Sequence, residues 1–269
     1  DVDHTFPVEV MKEAGEMGFM GIYTPEALDG MGLSRMDTSV IVEELAMACP
    51  STAAFITIHN MATWMVASFA SDDLKQEFVP RMASGEWLAS YCLTEPGAGS
   101  DAASLRTRAV RDGDSYVING SKMFITNASV AESIVVFATQ DRSLGYKGIS
   151  AFVVNRDSPG LTINPLHGKM GMRSSTTDEV VFQDTPVPLE NRLGEEGRGF
   201  NYAMEILDSS RIIIAAQCVG IGQSALEAAV RYAQQRETFG KPIAQHQGIQ
   251  FALADMAAGV HAARTVTMQ

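Results

Sequence analysis

The stretch Tyr91-Cys-Leu-Thr-Glu-Pro-Gly-Ala-Gly-Ser-Asp101 holds the densest set of groups suited to chemistry in this chain. A short apolar run gives way to Pro96, Gly97, Gly99 and Ser100. Pro and Gly interrupt regular structure, and Gly lets backbone approach a ligand closely. Thr94, Ser100 and the N–H groups of such a loop suit an anionic or heteroaromatic group. The same residues also build an ordinary polar turn between domains, and residue types alone leave both readings open. Asp208 and Arg211, three apart, share a helix face and taken alone read as a surface ion pair. Arg236-Glu-Thr-Phe-Gly240 reads alone as a helix C-terminus, with Arg near the last carbonyls and Gly ending the turn.

Composition narrows the function classes. At 269 residues the chain suffices for one large domain or two to three modest ones. With 46% hydrophobic and 19% charged residues it is globular. A net charge of −12 argues against non-specific binding to nucleic acid or anionic membrane, while leaving room for a local basic pocket. Cys49, Cys92 and Cys218 are odd in number and widely spaced, which favours a reducing compartment over a disulfide framework. His4, His59, His167, His246 and His261 never pair at metal-ligand spacing, so no metal is expected. The longest apolar run, Ala53 to Ala70, is broken by His59, Asn60 and two threonines and reads as a core helix, so no membrane span is expected. No signal or transit segment is visible, and the absence of an initial Met predicts missing N-terminal sequence.

These residues need elements to position them, and the periodicity predicts an α+β chain. Residues 1–90 read as an N-terminal helical domain. Val8, Val10, Met11, Ala14 and Met17 keep helical spacing up to a stop at Gly18. Asp37 is expected to cap a second helix that ends near Pro50, and Ser51 or Thr52 to start the apolar one. Ser71, followed by Asp72 and Asp73, starts a fourth helix that Pro80 is expected to interrupt. Residues 91–195 read as a middle antiparallel β domain, with a hairpin turning at Asn119-Gly120. The absence of βαβ alternation argues against a Rossmann fold. Residues 196–269 read as a partial C-terminal helical bundle. Its first helix, Phe200 to about Gln235, is apolar around most of its circumference, as a buried central helix is. The last helix runs from about Gln247 to the end without a cap, so the chain is expected to be incomplete there.

Four separated motifs in register, Tyr91–Asp101, Met123-Phe-Ile-Thr-Asn127, Asp208-Ser-Ser-Arg211 and Arg236-Glu-Thr-Phe-Gly240, resemble the acyl-CoA dehydrogenase family of flavoproteins. Gly32-Leu-Ser-Arg-Met-Asp-Thr-Ser-Val40, Ile58-His-Asn-Met61 and Ala89-Ser-Tyr-Cys-Leu-Thr-Glu-Pro96 are most similar to its isobutyryl-CoA branch. The resemblance implies FAD as cofactor and α,β-dehydrogenation of a short or branched acyl-CoA thioester to the 2-enoyl-CoA. It also implies a homotetramer, an electron-transferring flavoprotein as electron acceptor, and a place in the bacterial cytoplasm or mitochondrial matrix.

By resemblance the cofactor contacts are Tyr91, Leu93, Thr94, Gly99 and Ser100, with Phe124, Ile125 and Thr126 across the flavin ring and the Thr126 hydroxyl near flavin N5. Phe124 stands where the family often has Trp, which keeps an aromatic plane and loses the indole donor. Arg236, Thr238, Phe239, His246 and Gln247 match positions that reach the FAD of a neighbouring subunit. Ser100, Asp208 and Arg211 match substrate contacts, and Arg173 with Ser174–Thr177 matches a signature near the CoA path. Outside the resemblance, Phe124 and Ile125 read as routine strand residues.

The implied chemistry needs a carboxylate base for the α-proton beside the thioester. In most of the family it is a Glu of the C-terminal domain, expected here beyond Gln269. A minority place it immediately before the Arg matching Arg211, where this chain has Ser210. Glu205 is off that face, so no residue in the chain is expected to act as the base. Two further readings stand beside the dehydrogenase: a relative with altered chemistry, such as an oxidase or a desulfinase, and a non-catalytic flavin- or CoA-binding scaffold.

Overall fold

In the computed structural model, which describes residues 5–269 and so leaves His4 outside, four α-helices precede the first strand. Helix α1 (Val8–Glu16) ends before Gly18, whose φ of +85° is the left-handed conformation a helix stop uses. Helix α2 (Arg35–Ala48) is capped by Ser34 rather than Asp37. The Ser34 hydroxyl accepts from the Asp37 amide at 3.1 Å, and the Asp37 carboxylate accepts from the Ser34 amide at 3.0 Å. This reciprocal box needs the acid at the third helical position, so Asp37 lies inside the helix. Helix α3 (Pro50–Phe69) starts ahead of the expected Ser51 or Thr52, because Pro at the first helical position loses no hydrogen bond there. Helix α4 (Asp72–Ala83) runs through Pro80, against expectation. Leu74, Phe78, Val79 and Met82 are buried on both sides of the proline, and their packing overrides one missing amide near the helix end.

The strands that follow are β1 (Ala89–Cys92), β2 (Arg108–Asp112), β3 (Ser115–Thr126), β4 (Ser133–Thr139), β5 (Ile149–Asn155), β6 (Leu161–Pro165), β7 (Thr177–Pro188) and β8 (Arg192–Leu193). They form one sheet in the order β6-β7-β3-β2-β4-β5-β8, with β1 also on β4. Most pairings are antiparallel, but β1 runs parallel to β4, and β2 meets β4 in parallel at Arg108 and Thr139, so the expected antiparallel sheet is a mixed one. The expected hairpin at Asn119-Gly120 does not form. Strand β3 continues through it because β7 pairs along both halves, with a register shift between Ile118 and Gly120. Gly120 has φ +150°, and a Cβ there would lie 2.7 Å from the Thr107 Cα, so the close approach of Thr107 requires glycine. The real hairpin joins β2 to β3, Asp112 opposite Ser115.

Strand β4 is buried on both faces, which explains its unbroken apolar run. Val135 and Phe137 face a core shared with α3, α4 and the later helix α5 (Gly199–Gln235). Ile134 and Val136 face a second core with β3, β5 and β7. This shared core includes Ala89 and Tyr91 of β1 and so fixes the helices against the strand that leads into the site. Helix α5 is less buried than expected. Ala203, Ile206, Ile213 and Ala216 are covered, while Ile212, Ile214 and Ile221 are exposed. By length and composition α5 is apolar enough to cross a membrane, and here it packs against α2, α3 and α6. A short ribbon, β9 (Glu237–Thr238) and β10 (Lys241–Pro242), then leads to α6 (Gln247–Thr267), none of whose residues is buried.

Candidate functional site

After β1 the chain makes a tight loop in which Glu95 and Ala98 exchange backbone hydrogen bonds at 3.0 and 3.1 Å. Gly97, Gly99 and Ser100 are exposed at its tip. A Cβ on Gly97 or Gly99 would meet nothing within 4 Å, so the chain's own packing does not demand these glycines and the backbone flank there stands open. The carbonyls of Leu93 and Thr94 are committed to the protein, accepting from the Lys122 ammonium and the Met123 amide, each at 2.9 Å. The Thr94 hydroxyl and the exposed tip, rather than those carbonyls, are the polar groups the stretch leaves open for a ligand.

Strand β3 supplies the facing wall. Its register slips between Lys122 and Ile125, and Phe124 in the slip has φ +61° with 67% of its surface exposed. An aromatic residue in the left-handed region is strained, and such residues gather where a ligand is held. Neighbouring groups fix this backbone. The Ser90 hydroxyl donates to the Thr126 carbonyl at 2.6 Å, and the Asn127 amide group donates to the carbonyls of Phe55 and Ala89 at 3.1 and 3.2 Å. Ile125 is buried as a strand residue is, and Thr126 is half-buried.

Between loop and bulge lies a cleft of about 510 Å³. Tyr91, Leu93, Thr94, Gly99, Ser100, Phe124, Ile125 and Thr126 line it, joined by Ile58 and Met61 of α3 and by Met204, Leu207, Ser210, Arg211 and Ile214 of α5. The volume suits a small-molecule site with an apolar body and a few placed polar groups. Among the described residues, none that lines it is a carboxylate. The Tyr91 hydroxyl is buried without a hydrogen-bond partner among the described residues, and burial holds its pKa above the usual phenol value. Arg211 bonds its own helix through Leu207 at 3.1 Å and pairs with Asp208 at 3.4 Å. Both side chains are well exposed, so the pair contributes little stability, and Asp208 itself does not line the cleft. Arg173 and Ser174–Thr177 lie apart from it, and Arg173, Ser175, Thr176 and Thr177 border a small pocket with Lys169 and Asp178. Another cleft, of about 490 Å³ between α4 and β5–β7, is lined by Asp73, Glu77 and Glu190 and contains none of the predicted residues.

The second predicted group sits elsewhere. Arg236 follows the last residue of α5 in extended backbone, and Gly240 ends a hairpin turn rather than the helix. Phe239 and Gly240 have φ +52° and +74°, the double positive φ of a primed two-residue turn, and Phe239 is 95% exposed at its tip. The Thr238 hydroxyl and His246 Nε2 are 3.1 Å apart, and the Phe239 and His246 rings meet edge-on at 6.0 Å. Gln247 opens α6. At 1.5 Å per residue along α5, this group is roughly 37 Å from Arg211. One chain does not bring the two groups together.

Residue types alone missed the groups that hold the site. Lys122 is fully buried and its ammonium is 2.9 Å from the Glu95 carboxylate. Its register was the available signal, since Tyr116, Ile118 and Lys122 are all at even positions and Tyr116 and Ile118 are core residues. His59 joins α3 to β1: its Nδ1 accepts from the Ala89 amide at 2.9 Å while Nε2 lies 2.9 Å from the Met82 carbonyl. Burial pushes its pKa down to about 4, so the ring is neutral near pH 7.

Comparison with known proteins agrees with this layout. The acyl-CoA dehydrogenase N-terminal, middle and C-terminal domain models match residues 1–86, 90–185 and 197–269. The mitochondrial isobutyryl-CoA dehydrogenase of Dictyostelium discoideum is 44% identical over 264 residues, covering 98% of this chain and 64% of that protein. The mitochondrial short-chain specific acyl-CoA dehydrogenase of Bos taurus is also 44% identical, over 268 residues, covering 99% of this chain and 65% of that protein. The chain thus spans just under two thirds of the length of these two relatives. The butyryl-CoA dehydrogenase structure from Megasphaera elsdenii superposes with a TM-score of 0.95 at 39% identity, covering 99% of this chain and 71% of that one. With the helix–sheet–helix order and these matches in hand, the chain belongs to the acyl-CoA dehydrogenase family.

Proposed function

We propose that this chain is the flavin- and thioester-holding part of an FAD-dependent acyl-CoA dehydrogenase, one that converts a short branched acyl-CoA such as isobutyryl-CoA to its 2-enoyl-CoA. Members of the family use FAD. The observation that carries the reading is the cleft, where the loop after β1, the strained bulge of β3 and Arg211 of α5 converge. Its residues fit a flavin. The open flank of Gly97 and Gly99 admits a ligand against backbone, and Phe124 offers an exposed aromatic face. FAD, when bound, supplies the acceptor for the hydride that leaves the substrate's β-carbon.

In this reading Leu93 and Thr94 hold one edge of the ring, and Phe124, Ile125 and Thr126 close its other side with the Thr126 hydroxyl turned to it. Ser100 at the mouth serves the phosphates of FAD or CoA. Arg211, with Asp208 beside it, meets the anionic CoA arm through a charge-assisted hydrogen bond. The apolar side chains of Ile58, Met61 and Leu207 keep water from the acyl group. No lining residue is a carboxylate, so the base is assigned to a Glu beyond Gln269 in the longer protein. Arg236, Thr238, Phe239, His246 and Gln247 serve the FAD of a second subunit, which makes the working form an oligomer, a homotetramer by family analogy. Electrons pass to an electron-transferring flavoprotein, and the protein works in the mitochondrial matrix or a bacterial cytoplasm. We read α5 as a bundle helix rather than a membrane span, because it packs on three other helices and carries Arg211, Glu227 and Arg231.

The test is an absorbance scan of the chain refolded with FAD. The expected protein stays yellow through gel filtration, and isobutyryl-CoA perturbs the flavin band more than butyryl-CoA does. A colourless protein overturns the site. Anaerobic bleaching is expected of the longer protein alone, so bleaching by residues 1–269 would place a base within this chain. The carboxylate-free wall also supports a second reading, altered chemistry or a non-catalytic scaffold. That reading gains if the longer protein binds flavin yet no acyl-CoA bleaches it.

A further inference from the structure

We propose that Lys122 and Glu95 form a positioning pair that sets the spacing between the two walls of the flavin cleft. The ammonium of Lys122 donates to the Leu93 carbonyl and the Glu95 carboxylate, both at 2.9 Å, and so holds the residues on either side of Thr94. The next amide along β3, Met123, donates to the Thr94 carbonyl at 2.9 Å. Three consecutive loop residues are thereby fastened to two consecutive strand residues. Phe124 follows at once, in the bulge. Glu95 is anchored from behind by the amides of Arg106 and Thr107, at 2.6 and 2.9 Å. The pair has side-chain exposures of 0% and 6%, so neither charge has water to fall back on.

Packing alone does not call for such a pair. Burying two charges carries a large desolvation cost that their attraction does little more than return, and apolar replacements are often as stable. What an ammonium supplies and a Leu does not is a set of directed bonds. Here they fix the height of Thr94 against Phe124, two residues that do not touch the pair's own charges. Burial raises the Glu95 pKa, but the Lys122 charge and the hydrogen bonds from Thr107 and Arg106 outweigh it and hold the carboxyl below its usual range. Glu95 is therefore a carboxylate at neutral pH, while burial pulls the Lys122 pKa below its usual value against the attraction of Glu95.

This inference rests on the flavin reading of the cleft, and the experiment separates the two. The chain is prepared as wild type, as Lys122→Met with Glu95→Leu, and as Lys122→Arg. Each is examined flavin-free by amide hydrogen exchange and then titrated with FAD. The double variant leaves no orphan charge. It is expected to keep its far-UV circular dichroism while the Met123 amide loses protection. Its FAD affinity should fall about tenfold or more with a shifted flavin band, as a wall moved by a fraction of an ångström would cause. Lys122→Arg, which keeps the charge, is expected to fall between the two. A wild-type chain that takes no FAD would sink the flavin reading, while loss of Met123 protection in the flavin-free double variant would still uphold the fastening. A double variant with wild-type exchange, affinity and flavin band would overturn the positioning role. So would a double variant that fails to fold alongside a Lys122→Arg chain identical to wild type in all three readouts.

Discussion

Phe124 concentrates the conflict between folding and binding in one residue. Its left-handed backbone costs about 1 kcal/mol or more relative to glycine, and its ring is mostly in solvent, so it recovers little by burial. Phe124→Gly is therefore expected to raise Tm by roughly 2 °C in thermal unfolding of the flavin-free chain. The same change removes an aromatic face worth about 0.5–1.5 kcal/mol to a stacked ring, so FAD affinity should drop roughly 3- to 10-fold. A lower Tm in Phe124→Gly would mean that the ring packs for stability and is no part of the site. As residue types, Phe124 and Ile125 looked alike. The structure separates them, one buried and one exposed, because the bulge reverses the facing that a period of two assigns.

At the scale of elements, His59 ties the helical layer to the strand that begins the site, and it does so only as a neutral ring. Its folded pKa of about 4 lies below the unfolded value near 6.5. Between those values the unfolded chain binds the extra proton, so stability rises with pH across that window and falls as pH drops from 6.5 toward 4. The full difference is roughly 3 kcal/mol from this one group. Denaturant unfolding at pH 7, 5.5 and 4.5 should show the decline. In His59→Gln, less stable at neutral pH, the slope attributable to this residue should vanish. An equal slope in both chains would assign the acid sensitivity to other groups. The His59 bridge was not legible in the sequence, since a lone histidine on an apolar helix does not reveal which amide it meets thirty residues away. The order of helices and strands was legible, because periodicity is local. The Asn119-Gly120 turn failed for the converse reason: local turn chemistry lost to β7, which pairs with β3 on both sides of Gly120. Pro80 is the same lesson in a helix, with Phe78 and Met82 packing across the expected break.

For the whole molecule, the question is why the two groups proposed to serve FAD lie roughly 37 Å apart along α5 on one chain. If each cleft is completed by the hairpin of a neighbour, two defective chains should repair each other. Gly99→Trp fills the open flank of the cleft, where a side chain meets none of the chain's own atoms, and so blocks the ligand without disturbing the fold. Arg236→Ala joined with Phe239→Ala removes exposed groups from the distant hairpin. Each variant alone is expected to lose FAD on gel filtration. When the two are unfolded together, mixed equally and refolded, half of the paired subunits are hybrids, and each hybrid holds one intact site built from the good cleft and the good hairpin. In a two-fold arrangement the mixture should then retain about one quarter of the wild-type flavin. A mixture as colourless as its parents would show that each chain completes its own site, and the hairpin would lose its assigned role.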